Sequence, residues 1–209
     1  MPDLLVDNLV IPAAPRTGAA SLFAEPTTRR LTWKDDTGRT YTLGIFNNNT
    51  ADVTANAADT YLTGSALAVP PACTLLAGTS FRWKFGMTKT AASTATPVWT
   101  VRVGTAGTTS DAAVLTFTGP AQTAVTDNGY VEIAATLRNT GAAGIMAGIL
   151  TLTHNLDATG FANIGTPTLQ TTSSGFVTTT AGLIIGVSVN PGAAGVWTHQ
   201  VVQGEMLNI

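Results

Sequence analysis

Charge is what this sequence has least of. Asp, Glu, Lys and Arg make up 11% of its 209 residues, against about a quarter in an ordinary globular chain. The formal net charge is -2 and the sequence pI is near 5.5. That excludes the basic footprint of a nucleic-acid partner. A single cysteine, Cys73, cannot build an internal disulfide framework. No apolar run approaches the roughly 18 residues of a membrane-spanning helix, so no membrane insertion is expected. No basic segment leads into an apolar one at the N-terminus, so no signal peptide is expected. Low charge here does not mean disorder, because 44% of the residues are hydrophobic, enough for a core.

Small residues fill the gap left by charge. About 38 threonines favour strands, and about 31 alanines and 21 glycines accompany them. The resulting surface, neutral and rich in threonine, suits repetitive assembly or an extracellular particle. The length fits one large domain, or one domain with an appended arm.

Residues 1–50 read as an arm and 51–209 as a body. The arm holds Pro2, Pro12 and Pro15 and no periodic apolar face. Arg16, Arg29, Arg30, Lys34 and Arg39 are half of the chain's 10 basic residues. Lys34-Asp35-Asp36-Thr37-Gly38-Arg39 is a turn between Leu31-Thr32-Trp33 and Thr40-Tyr41-Thr42-Leu43, which signals a short hairpin. Asn47-Asn48-Asn49-Thr50 reads as a linker.

Apolar residues in the body recur with period two. Phe81, Trp83, Phe85 and Met87 alternate with Arg82, Lys84 and Gly86, which puts the large side chains on one face. The same holds for Trp99, Val101 and Val103, for Ala113, Leu115 and Phe117, for Val131 to Leu137, and for Leu183 to Val189. Turn clusters separate the runs, among them Gly104-Thr105-Ala106-Gly107, Asp127-Asn128-Gly129 and Asn190-Pro191-Gly192. Eight strands are expected near 59–69, 79–89, 97–104, 111–118, 129–138, 145–155, 183–190 and 196–207. The fold class is therefore all-β, an antiparallel β-sandwich of jelly-roll type behind an extended N-terminal arm. Residues 156–175 form either an exposed functional loop or an extra hairpin.

Catalytic constellations are weak. Asp36-Thr37-Gly38 matches the loop of aspartic proteases, and Ile184-Ile185-Gly186 a second element of theirs. The loop, however, follows the charged Lys34-Asp35 rather than a buried strand, and it is an ordinary hairpin turn. His154 and His199, the only histidines, lack partners at metal-ligand spacing. His199 shares parity with Trp197 and Val201 and points inward on that reading. Cys73 reads as a small buried hydrophobe. No Gly-x-Ser-x-Gly and no phosphate-cradling loop occurs. A glycosidase pair drawn from Asp111, Asp127, Glu132 or Asp157 has nothing to favour it over solvated carboxylates. The expectation is a chain that is not an enzyme, with no metal and no cofactor. Trp83 and Trp99 read as core.

Pro12-Ala13-Ala14-Pro15-Arg16-Thr17-Gly18, Ser21-Leu22-Phe23-Ala24 and the run from Leu31 to Leu43 together resemble the opening of many tailed-bacteriophage virion proteins. There a Pro-rich start leads to a small hairpin and then to a fibre or sandwich. The body, with Val101-Arg102-Val103-Gly104-Thr105-Ala106-Gly107-Thr108-Thr109, is similar in style to head-fibre, capsid-decoration and tail-fibre domains. The resemblance implies a non-enzymatic virion protein, usually a homotrimer, whose N-terminal segment docks on other virion proteins of the capsid or tail. Residues 1–38 would carry that docking, with Arg16, Arg29, Arg30, Trp33 and Lys34 as anchors on an acidic surface. The alternative is a module that binds a host receptor or host-surface glycan. Its candidate loops are 105–111, 120–129 and 156–175, with Thr108, Asp111, Asp127, Asn128 and Asn163 as candidate contacts.

Overall fold

A computed structural model describes residues 13–24, 31–38, 40–42, 44–69 and 75–207. Near the N-terminus β1 (Ala20–Ala24), β2 (Leu31–Asp35) and β3 (Thr40–Thr42) form a three-stranded sheet in that order. Among the described residues these strands pair with one another and with no body strand. The expected hairpin is β2–β3, with Lys34 opposite Thr40. Asp35 builds its turn by accepting from the backbone N–H (3.0 Å) and hydroxyl (2.7 Å) of Thr37. Gly38 completes the turn at φ 86°, in the left-handed region where a side chain would be strained.

The body is an antiparallel sandwich. Its strands are β4 (Ile45–Asn48), β5 (Val53–Asn56), β6 (Thr60–Tyr61), β7 (Leu67–Ala68), β8 (Ser80–Lys89) and β9 (Val98–Gly104). They continue with β10 (Ala112–Thr118), β11 (Asp127–Asn139), β12 (Ile145–His154), β13 (Thr168–Thr172), β14 (Ile184–Asn190) and β15 (Val196–Leu207). One sheet is five-stranded, ordered β10-β9-β14-β6, with β7 also on β14. The other is seven-stranded, ordered β13-β12-β11-β8-β15-β4, with β5 also on β15.

The long strands fall where the period-two runs place them. Residues 59–69 differ, being two short strands around a 3-10 turn at Thr63–Ser65. Asn47 and Asn48, read as linker, are instead the end of β4, which pairs with β15. The asparagines act through their amides. Asn47 donates to the carbonyls of Thr63 (3.2 Å) and Ala66 (2.8 Å), and Asn49 accepts from the Val202 N–H at 2.8 Å. An edge strand held this way leaves no apolar period to read. Asp127-Asn128-Gly129 is likewise the start of β11 rather than a turn. A Cβ on Gly129 would lie 2.9 Å from the Phe161 ring, so glycine there makes room for a core aromatic.

The 3-10 turn lies directly against β4. A Cβ on Gly64 would stand 2.3 Å from the Asn49 backbone nitrogen and 2.8 Å from the Asn48 carbonyl carbon. Backbone cannot yield as a flexible side chain does. Gly64→Ala is expected to lower stability by about 1–3 kcal/mol. A shift of the urea midpoint at constant slope measures it; an unmoved midpoint would contradict the close approach.

Bulges overrule simple alternation, because an extra residue reverses the parity beyond it; one interrupts β11 between Leu137 and Asn139. The register of β15 shifts between His199 and Val201, so Val201 is 46% exposed while Val202 is buried. The register of β10 shifts between Ala113 and Leu115, leaving Ala113 outside and Leu115 inside. The core between the sheets is aromatic. Trp83, Trp99 and Trp197 are fully buried. Trp197 stands 5.5 Å from Trp99 and meets Phe161 edge-on at 5.0 Å. Burial of each such ring contributes on the order of 2–3 kcal/mol before entropy is counted.

Candidate functional site

Three surfaces carry chemistry: the N-terminal sheet, one loop-bearing end of the sandwich, and the outer face of the seven-stranded sheet. On the N-terminal sheet, Leu22 of β1 stands directly opposite Trp33 of β2. They are 54% and 46% exposed. Phe23 and Thr32, on the other face, are buried. Arg16 is exposed and Lys34 half-buried. Arg29, Arg30 and Arg39 lie outside the described residues, as does Cys73. Asp36 accepts a 2.6 Å hydrogen bond from the Gly18 N–H, which ties the preceding turn to the hairpin. Asp36-Thr37-Gly38 therefore serves as a turn.

At the loop end, Lys89 closes β8 and is fully buried. It continues the inward parity of Phe81, Trp83, Phe85 and Met87. Its three Nζ–H groups are shared among the carbonyls of Ser93 (3.2 Å), Val125 (3.1 Å), Gly160 (3.4 Å) and Thr123, all within hydrogen-bond reach. One ammonium thereby joins loops 90–97, 119–126 and 155–167. Burial lowers its pKa from the usual lysine range, and the Asp127 charge opposes that shift. Gln122 adds a second fastening, donating to the Ala95 carbonyl (3.0 Å) and accepting from the Trp197 indole N–H (3.1 Å). Asp127 Oδ2 lies 2.8 Å from His154 Nδ1 and also accepts from the Phe161 N–H at 3.3 Å. Among the side chains these loops leave outside are three large apolar ones, Val125, Leu156 and Ile164, at 45%, 38% and 50% exposure, beside the exposed Asn155, Asp157 and Asn163.

The residues expected to contact a receptor divide. Thr108, Asn128 and Asn163 are exposed. Asn128 accepts from the Thr88 hydroxyl at 2.9 Å, and the Thr108 and Ser110 hydroxyls are 2.7 Å apart. Asp111 and Asp127 are buried, at 8% and 5% exposure, so they hold loops in shape and do not face a partner. The Asp111 carboxylate accepts from the N–H groups of Ala106 (3.2 Å), Gly107 (2.7 Å) and Thr108 (3.3 Å). The three expected loops also do not converge. Thr123 N–H to Gly160 O (3.0 Å) and Asn163 N–H to Ala121 O (2.8 Å) join 120–126 to 156–167. Loop 105–111 follows Gly104, which pairs with Ile184 beside the 173–183 segment at the opposite end. Part of 156–175 is strand, since β13 extends the sheet beyond β12.

The outer face of the seven-stranded sheet was not expected as a site. One register row crosses it: Phe46, Glu205, Arg82, Ala134, Ile149 and Gln170. The next row sets Lys84 between Gln203 and Glu132. Arg82 bridges both carboxylates, with Nε 3.1 Å from Glu132 and Nη1 3.6 Å from Glu205. Burial, followed by its 3.1 Å hydrogen bond to Glu132, raises the pKa of Tyr130 on the same face. The alternation Phe81-Arg82-Trp83-Lys84 signals this face. What it cannot show is which strands lie beside β8.

Among the described residues, no cluster of three or more His, Cys, Asp or Glu side chains is placed to hold a metal ion, and no helix is long and apolar enough to cross a membrane. No protein-family model matches the chain, and no curated protein matches it.

Proposed function

We propose that this chain is a non-enzymatic structural protein of a phage virion, a fibre, spike or decoration module docked through its N-terminal segment. The observation that carries this reading is the N-terminal sheet, which among the described residues pairs with no body strand and presents Leu22 and Trp33 side by side with about half of each exposed. A sheet this small buries little of its own and is marginal alone. Exposed Leu and Trp gain most by burial against a partner, and the exposed Arg16 on the preceding turn favours an acidic one. A homotrimer is the assembly expected, and closed symmetry would also cover sheet edges that a monomer leaves open.

Deleting residues 1–38, or replacing Leu22 and Trp33 together by serine, is expected to abolish particle binding. The urea midpoint of the body stays where it was. Light scattering of the full-length chain is expected to give a mass near three chains. Intact particle binding after the deletion, together with a monomeric mass, overturns the reading.

A second reading, receptor binding, is favoured by the loop end. Loops pinned by Lys89 and Gln122 hold Val125, Leu156 and Ile164 outward on a rigid frame. Exchange of Val125 and Ile164 for serine should reduce host adsorption if that end makes the contact; unchanged adsorption removes it.

A further inference from the structure

The body's basic residues are distributed unevenly. From residue 44 onward they are Arg82, Lys84, Lys89, Arg102 and Arg138. Lys89 is enclosed by carbonyls. Arg102, with 14% of its side chain exposed, is spent on Asp59, the Ser188 hydroxyl (2.8 Å) and the Asp111 carbonyl (2.7 Å). The remaining three reach solvent, and all three stand on the outer face of the seven-stranded sheet. In a chain with net charge -2, this face gathers the body's three solvent-reaching basic residues, with Glu132 and Glu205 held by Arg82 among them.

The face is also shaped. Two shallow depressions, of about 380 and 320 Å³, adjoin on it and share Arg82 and Glu205. The first reaches Ile149, Gln170 and Arg138; the second reaches Phe46, Gln203 and Lys84. The floor of the first is made of small side chains, with Ala134 and Ala147 opening the space. Strands stand about 4.8 Å apart and rise about 3.4 Å per residue, so the track from Lys84 to Arg138 is roughly 20 Å long. Phe46, 61% exposed, flanks one end.

We propose that this diagonal track binds a polysaccharide carrying carboxylates at intervals, a uronic-acid-containing chain, laid across the outer face of the seven-stranded sheet. Each part of the surface answers a part of such a chain. Lys84 and Arg138, which have no ion-pair partner among the described residues, meet sugar carboxylates. Glu132 and Glu205 accept sugar hydroxyls, and Arg82, held between them, presents its donors without free rotation. Phe46 stacks on the apolar face of a sugar ring. A phosphate backbone fits poorly. Its charges recur at every nucleotide, about 3.4 Å of axis apart along one strand of a duplex, and a DNA backbone offers no hydroxyls for Glu132 and Glu205 to accept. The proposal is independent of the docking reading, since no residue of the N-terminal sheet takes part.

The test is titration calorimetry of the full chain with hexamers of galacturonate and of alginate, with the fully methyl-esterified galacturonate hexamer as the uncharged control. The acidic hexamers are expected to bind, and the ester about tenfold more weakly, as loss of charge-assisted hydrogen bonds requires. Binding of the acidic hexamers should weaken as salt is raised. Lys84→Ala, Arg138→Ala and Phe46→Ala should each weaken it severalfold, while the N-terminal variant Lys34→Ala leaves it unchanged. These side chains all reach solvent, so the variants keep the fold. Silence of both acidic hexamers overturns the proposal. So does equal affinity for acid and ester, indifference to the three substitutions, or tighter binding of oligothymidylate. Concentration-dependent dimerisation abolished by Phe46→Ala would assign the face to a second copy of the chain and also overturn it.

Discussion

Replacing Lys89 with methionine is expected to lower the unfolding free energy by about 3 kcal/mol. Methionine keeps most of the stem and its packing. It removes the ammonium on which the carbonyls of Ser93, Thr123, Val125 and Gly160 converge. A buried carbonyl deprived of its donor costs about 1–3 kcal/mol, and relaxation of the loops recovers part of the sum. Burial of the ammonium is itself unfavourable and lowers the Lys89 pKa; the carbonyls offset it. Urea unfolding at neutral pH measures the loss. Amide exchange should show where it falls, with protection decreasing in 90–97, 119–126 and 155–167 while the β14 amides keep theirs. A variant as stable as the parent would mean that the loops hold without the cage. Lys89 would then be tolerated rather than required.

The second large effect is the response to acid. His199 is fully buried, between the rings of Phe85 and Trp197. Its Nδ1 donates to the Val53 carbonyl at 3.2 Å, and its Nε2 has no hydrogen-bond partner among the described residues. A proton added at Nε2 would be buried with no acceptor. Burial therefore pushes the pKa down from 6.5 to about 4, and the Val53 bond opposes it only in part. Between those values the unfolded chain binds the proton and the folded one does not. The contribution is complete above pH 6.5 and is lost as pH falls toward 4, at about 1.4 kcal/mol per pH unit. From neutral pH down to about pH 4.5 the loss is roughly 2–3 kcal/mol. Carboxylates also titrate near the bottom of that range, so the comparison is with His199→Leu, whose stability should fall less over the same interval. Parallel curves for the two proteins would show that His199 charges within the fold.

Much of the body was legible because its strands bury one face. Phe81 to Met87, Val131 to Leu137 and Ile185 to Val189 keep one parity without interruption, and each run lies in a strand with those side chains inside. The elements that were not legible have other means of support. Edge strand β4 is held by asparagine amides, β13 is a threonine-rich strand added beyond β12, and Val201 faces outward because a bulge intervenes. None of these leaves a period in the sequence.

The candidate sites divide along the same line. Leu22 and Trp33 lie in segments that composition already set apart, and the turn at Asp36-Thr37-Gly38 was readable as a turn. The burial of Asp111 and Asp127 was not, because a carboxylate in a loop looks alike whether it faces water or its own loop's amides. Sequence by itself determined the alternation, the turns and therefore a two-layered antiparallel body, since period two and glycine placement are local properties of the chain. Tertiary structure alone decided that Lys89 caps three loops and that Arg82, Lys84 and Arg138 share one face with Phe46. Those juxtapositions depend on which strands become neighbours, and pairing across the sheet joins residues far apart in the chain.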